Sequence, residues 1–213
     1  MKTLNATHAA SKGRKLSVIQ AALACFTEKG YSDTSINDVC RMSGASVGSI
    51  YHHFKSKEQL AAAVYLEGIR DYQQGFVQEL EGHDRARDGV FAIVRFHLTW
   101  VERNPDWARF LFQKRYAEFM GDTEEEFSRL NAEFMARVSG WFRKHIGTGS
   151  IRRLPPDLYP AIMLGPCQEY SRIYLSGHHA TPVKDAVKEI GDAVWLALGA
   201  PSAKKERPGA NGV

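Results

Sequence analysis

No run in the 213 residues reaches about eighteen consecutive apolar side chains, so a membrane-spanning helix is not expected. The opening segment, MKTLNATHAASKGRK, has no apolar core and does not read as a secretory signal. Cysteine is scarce. Cys25, Cys40 and Cys167 are odd in number and widely spaced, with no C-x-x-C. That removes a disulfide framework and fits thiols buried as small hydrophobes in a reducing cytoplasm. Alternating β-branched runs bounded by turns are missing, so no strand is expected. There is no P-loop, no G-x-G-x-x-G after a strand and no H-E-x-x-H, so no cofactor and no metal is expected.

What remains is ordinary in bulk and uneven in detail. The chain is 44% hydrophobic and 24% charged, enough for one or two domains with real cores. The net charge is +4, but Met1 to Leu60 holds eight Lys/Arg against four Asp/Glu. The end from Pro201 to Val213 holds three against one, which leaves the middle slightly acidic. A local positive excess on a small domain is how a phosphate-binding surface looks, and many solvated surfaces are equally basic.

The apolar periodicity is helical throughout. Val18, Ile19, Ala22, Leu23 and Phe26 make one stripe over about Arg14 to Lys29, closed by Gly30. Thr34 or Ser35 can cap a second helix with Ile36, Val39 and Cys40 on its buried side. Ser43-Gly44 stops it. A short third helix, about Ser46 to Phe54, carries Val47, Ile50 and Phe54 on one face. Ser56 caps a fourth that reaches roughly Gly82. Further helices are expected over about 86–103, from Pro105, over 123–145, 156–176 and 181–198, with Gly165-Pro166 bending the penultimate one. The expected fold is all-α: an N-terminal three-helix helix-turn-helix domain plus a larger C-terminal helical bundle, about nine helices in all. Residues 1–12 read as a flexible arm, 13–57 as the helix-turn-helix domain, 58–200 as a larger helical domain, and 201–213 as a flexible tail.

The segment SVGSIYHHFKSKEQL, Ser46 to Leu60, mixes hydroxyls, imidazoles and lysines. Gly44-Ala-Ser46-Val-Gly48 matches a nucleophile elbow in letters, but that turn needs a preceding strand and a helix precedes it here. Adjacent His52 and His53 point about 100° apart on a helix and do not share a metal. A helix, a Gly44 turn and a second short helix is helix-turn-helix spacing. With Val47, Ile50 and Phe54 packed inward, the other face shows Ser46, Ser49, Tyr51, His52 and His53, groups suited to phosphates and base edges. Gly48 lets a DNA backbone approach closely. Lys57, at the start of the fourth helix, suits a phosphate. Lys12, Arg14 and Lys15 form a basic arm.

TSINDVCRMSGASVGSIYHHFKSKEQL, Thr34 to Leu60, resembles the DNA-binding domain of the TetR family of bacterial repressors. The T-S-I opening, the G-x-S-x-G-x-x-Y-x-H-F core and K-S-K-E-x-L agree in register. Cys40 and Ser43 stand where the family usually has alanine, and Ala45 where it often has valine. The resemblance implies an all-α homodimer that lays Ser46–Phe54 of each subunit in the major groove of a pseudo-palindromic operator. By position, Ser46, Ser49 and His52 face bases, and Thr34, Tyr51, His53 and Lys57 hold phosphates. Ser35 and Asn37 lie where the family also contacts DNA.

The resemblance also implies a ligand pocket and a dimer surface in the C-terminal domain. His97, Gln113, Gln168 and Arg172 are polar groups on apolar stretches, and Trp100, Phe110, Tyr116 and Tyr170 are aromatics at helical spacing. These eight are the candidate ligand-binding residues; aromatics so spaced also build ordinary cores. Val183, Val187, Ile190, Val194 and Leu198 form a seam that wants another helix, beside Ile162, Tyr170, Ile173 and Tyr174. This face packs against a second copy or within the monomer.

The expected partners are a double-stranded DNA operator, a second copy of the chain and a partly hydrophobic small-molecule effector, with no membrane. The expected function is a non-enzymatic, cytoplasmic, ligand-released repressor. The alternatives are an activator or a regulator with another kind of trigger, or a helical metabolite-binding protein or enzyme without DNA binding. The last leaves Thr34–Leu60 with no role.

Overall fold

A computed structural model describes residues 2–112 and 121–201, without the side chains of 2–12 and 122. Nine α-helices form among these residues and no strand does. They are α1 (Lys2–Lys29), α2 (Ile36–Ser43), α3 (Val47–His53), α4 (Lys57–Glu81), α5 (Ala86–Arg103), α6 (Pro105–Phe112), α7 (Glu124–Gly147), α8 (Leu158–Leu175) and α9 (Val183–Leu198). α1 starts earlier than the Arg14 expected from the apolar stripe. Residues 2–12 contain neither proline nor glycine, so nothing in that segment breaks a helix. Beyond Pro201, the tail lies outside the described residues.

The chain divides into two compact units. The first holds Met1–Gly75 and Trp100–Met135, the second Phe76–Thr99 and Ala136–Val213. The first unit is built on α1. Val18, Ile19, Ala22, Cys25 and Phe26 are buried on its inner stripe with Val39 of α2, Ile50 of α3 and Leu60, Ala61 and Val64 of α4. α6 joins the same core, because Phe110 stacks on Phe26 with ring centroids 5.8 Å apart and planes 15° off parallel.

The second unit buries Val90, Ile93, Val94 and Leu98 of α5, with Trp141 and Phe142 of α7, Met163 and Cys167 of α8 and Val194 and Leu198 of α9. Gly191 lets α9 approach closely: a Cβ there would lie 2.7 Å from the Phe91 ring. An isolated antiparallel bridge, Ile151 to Gly199, ties the α7–α8 loop to the end of α9. Burial pushes the Cys167 thiol up to about 12, so it stays a thiol, as Cys25 does with its own raised value.

Candidate nucleic-acid interface

The start of α2 is held by two reciprocal hydrogen bonds. The Asp38 backbone N–H donates to Ser35 Oγ at 3.2 Å, and the Ser35 N–H donates to Asp38 Oδ2 at 2.9 Å. Asp38 also takes an ion pair from Lys29 at 2.7 Å, fastening α2 to the end of α1. The Lys29 and Ser35 hydrogen bonds hold the Asp38 carboxyl well below the usual carboxylate range. Gly44 ends α2 at φ 69°, a left-handed turn that glycine adopts freely. Ser46 then caps α3 by accepting the Ser49 N–H at 3.2 Å. With Ile50 and Phe54 buried against α1, the orientation of α3 is set by packing.

The outward side of α3 carries Ser46, Gly48, Tyr51 and His52, all exposed, with Ser49 and His53 half-buried. Tyr51 is 48% exposed. The His52 and His53 rings meet edge to face at 5.2 Å. Burial, and the neighbouring His52, Lys15 and Arg14, lower the pKa of His53. At neutral pH it therefore offers one N–H and one acceptor rather than a cation. Ser35 and Asn37, at the head of α2, are exposed.

Three expectations need correction. Val47 does not pack inward. It is 43% exposed, because Ile50 and Phe54 already fill the contact with α1 and the first helical turn lies off that stripe. An exposed valine on this face suits a thymine methyl group. Thr34 is buried, and its hydroxyl reaches the Cys25 and Gly30 carbonyls at 3.0 and 2.8 Å, so its one proton is used inside the protein. Lys57 is likewise committed. Its ammonium donates to the carbonyls of Tyr31, Ser32 and Thr34 at 3.0, 3.2 and 3.0 Å and lies 4.5 Å from the Tyr31 ring centroid. All three of its protons are used.

Lys57 thus ties the α1–α2 loop to α4. Lys57→Ala is expected to lower unfolding free energy by about 1–3 kcal/mol, because it orphans those carbonyls. The salt slope of DNA binding should stay as it is. Urea denaturation and a salt titration check this. A stable variant whose salt slope falls by about one would return Lys57 to phosphate contact.

Two basic side chains are better placed. A concavity of about 230 Å³ is lined by Arg14, Ser17, Ser43, Ser46 and Ser49, bringing a guanidinium and four hydroxyls to the start of α3. Lys55, directly after α3, is exposed. Lys55 and Lys57 share the K-S-K run, and nothing local in the sequence distinguishes the two lysines.

HTH-type transcriptional repressor KstR2 of Rhodococcus jostii (strain RHA1) is 27% identical over 143 residues, covering 66% of this chain and 69% of that protein. A TetR family transcription regulator from Marinobacter aquaeolei VT8 has the same fold, with a TM-score of 0.75 at 15% identity, covering 91% of this chain and all of that one. Residues 18–64 match the family described as bacterial regulatory proteins, tetR family. Residues 18–64 thus carry the TetR-family domain, and the chain shares its fold with a TetR-family regulator. FadR of Bacillus subtilis, solved in complex with stearoyl-CoA, also shares the TetR fold, with a TM-score of 0.66 at 15% identity over 84% of this chain and 96% of FadR.

Of the residues expected to line a ligand pocket, Trp100 and Phe110 lie in the first unit and His97, Gln168, Tyr170 and Arg172 in the second. Phe110 is core, stacked on Phe26. Trp100 is buried, and its indole N–H donates to Asp71 Oδ2 at 2.9 Å. Gln168 and Arg172 are exposed on α8, where Arg172 pairs with Glu169 through two hydrogen bonds of 2.9 and 2.6 Å. The Tyr170 hydroxyl donates to the Thr181 carbonyl at 2.7 Å. Gln113 and Tyr116 lie outside the described residues. His97 alone is a deeply buried polar group, and burial pushes its pKa down to about 4. Periodicity showed that these groups lay on apolar helices but not which way each one faces.

The seam on α9 divides in the same way. Val183, Val194 and Leu198 are buried within the second unit, whereas Val187 and Ile190 are half-buried. Ile162, Tyr170, Ile173 and Tyr174 on α8 are half-buried too. Leu196, absent from the seam, is 85% exposed.

Proposed function

We propose that this protein is a cytoplasmic, sequence-specific repressor of the TetR family that binds a pseudo-palindromic operator as a homodimer and is released by a partly hydrophobic small molecule. The carrying observation is the exposed face of α3, where Ser46, Ser49, Tyr51 and His52 stand on a helix anchored from behind by Ile50 and Phe54. Polar, mostly short side chains on a packed short helix suit base edges and phosphates in a major groove. Arg14 and Lys55 supply phosphate contacts beside it. A two-fold dimer matches a palindrome when its reading helices lie about 34 Å apart. The exposed Leu196 and the half-buried apolar groups of α8 and α9 support that pairing. The repressor activity of KstR2 and the stearoyl-CoA complex of FadR support repression and an apolar effector. An effector must bind the DNA-incompetent state more tightly, and DNA then weakens effector binding by the same factor.

The test is fluorescence anisotropy with the DNA immediately upstream of the protein's own gene, in excess nonspecific competitor. Saturable binding of a dimer to a palindrome is expected. In the same assay His52→Ala should cost about 1–3 kcal/mol at the preferred site and relax sequence preference there, whereas Tyr51→Phe should weaken all sequences alike. Binding erased by competitor on every fragment of a genomic selection would overturn the proposal.

A further inference from the structure

A second concave site lies entirely within the second unit. The α4–α5 turn, the start of α5, the end of α7, the loop after it and the end of α9 border an open cavity of about 580 Å³. Small-molecule sites run to about 300–1,000 Å³. None of the groups at α3 takes part in it, nor do the side chains expected to bind an effector.

The wall carries more positive than negative charge: Arg85, Arg87 and Lys144 line it with one carboxylate, Asp84. Arg87 is engaged with Asp192 at 3.3 Å, and Lys144 reaches the exposed Asp84 at 3.9 Å. Arg85 forms no ion pair among the described residues. Two hydroxyls sit beside these cations: Thr148 Oγ1, which donates to the His145 carbonyl at 3.1 Å, and Ser150 Oγ, 3.1 Å from it. The loop that carries them is fastened: Arg152 N–H donates to the Leu198 carbonyl at 3.0 Å and Ala200 N–H to the Ser150 carbonyl at 3.1 Å. The donors are therefore positioned before any ligand arrives.

His145 supplies an independent sign. It lines the cavity, yet it is only 3% exposed, with its ring 4.3 Å from that of Trp141. Its Nε2 has no hydrogen-bond partner among the described residues. A buried ring nitrogen without a partner is costly, and His145 is one of the residues that line this cavity.

We propose that this cavity binds a small organic phosphate, with Arg85 and Lys144 on the phosphate oxygens and His145 Nε2 donating from the floor. Arg85, Lys144 and the His145 imidazole are three donors, one more than the two oxygens of a carboxylate. They match the three terminal oxygens of a phosphate monoester.

Trp195 also lines the cavity, so the intrinsic fluorescence of the full chain reports occupancy without any DNA. Adenosine 5′-monophosphate is the probe, with inorganic phosphate as competitor and adenosine and acetate as controls. The expected result is saturable binding of the monophosphate with a Kd below about 1 mM, competition by phosphate, and no response to adenosine or acetate. Arg85→Ala with Lys144→Ala should raise that Kd at least about tenfold, since both charge-assisted contacts go. His145→Phe keeps an aromatic ring beside Trp141, removes Nε2 and should also weaken binding. If that buried variant fails to fold, the surface double variant decides alone. The proposal is overturned by a monophosphate that does not saturate, by adenosine binding as tightly, or by an unchanged Kd in the double variant.

Discussion

Phe110→Ala is expected to destabilise the protein by about 3–5 kcal/mol, the cost of deleting a buried aromatic side chain and leaving its cavity. Phe110 is one of the groups through which α6 meets α1, and its stacking partner Phe26 lies on the same buried stripe that supports α2 and α3. The deletion should therefore loosen the helix-turn-helix as well as α6. Urea denaturation is the measurement, with DNA affinity taken alongside it. Affinity should fall with the folded fraction while the salt slope stays constant, since no phosphate contact is touched. A pocket-lining role would show the opposite pattern: stability within about 0.5 kcal/mol of wild type and a change confined to effector release.

Acid should cost nearly as much, through His97. In the folded chain burial holds this imidazole neutral, down to a pKa of about 4 from an ordinary 6.5. The unfolded chain takes up the proton first, so stability is complete above the unfolded value and is lost as pH falls from about 6.5 towards 4. The full difference is about 3 kcal/mol, from roughly 1.4 kcal/mol for each pH unit between the two values. His145 and His53, both lowered chiefly by burial, act in the same direction over part of that window. Below it the lowered carboxyls of Asp38, Glu58 and Glu81 add their own losses. Denaturation midpoints of wild type and His97→Leu, measured from pH 8 to pH 4, separate these contributions. The wild-type slope between 6.5 and 4 should be steep and the variant's much flatter. Equal slopes would falsify the assignment to His97.

The helix-turn-helix was legible because each of its instructions is local. Ser35 with Asp38, the left-handed Gly44 and the Ser46 cap are all set within three or four residues along the chain. The α3 face could be read from which residues share a side of a seven-residue helix, and only Val47 was misplaced, at the turn where the helix begins. Thr34 and Lys57 were harder. Each looks like a DNA-binding hydroxyl or amine in sequence, but their partners are Cys25, Gly30, Tyr31 and Ser32, brought close by the path of the α1–α2 loop. Phe110 and Phe26 are farther apart still, and no periodicity within α6 marks that pairing.

Apolar spacing, caps and charge along the chain were thus enough to establish an all-helical fold, the nine helices of the described residues and a polar face on α3, because backbone hydrogen bonding and capping act over single turns. Which side of each helix in the second unit faces inward, and where a lysine spends its three protons, depended on long-range packing. Those choices are made by the neighbours that crowd each side chain. The same crowding left His145 among the residues that line a cavity no sequence window contains.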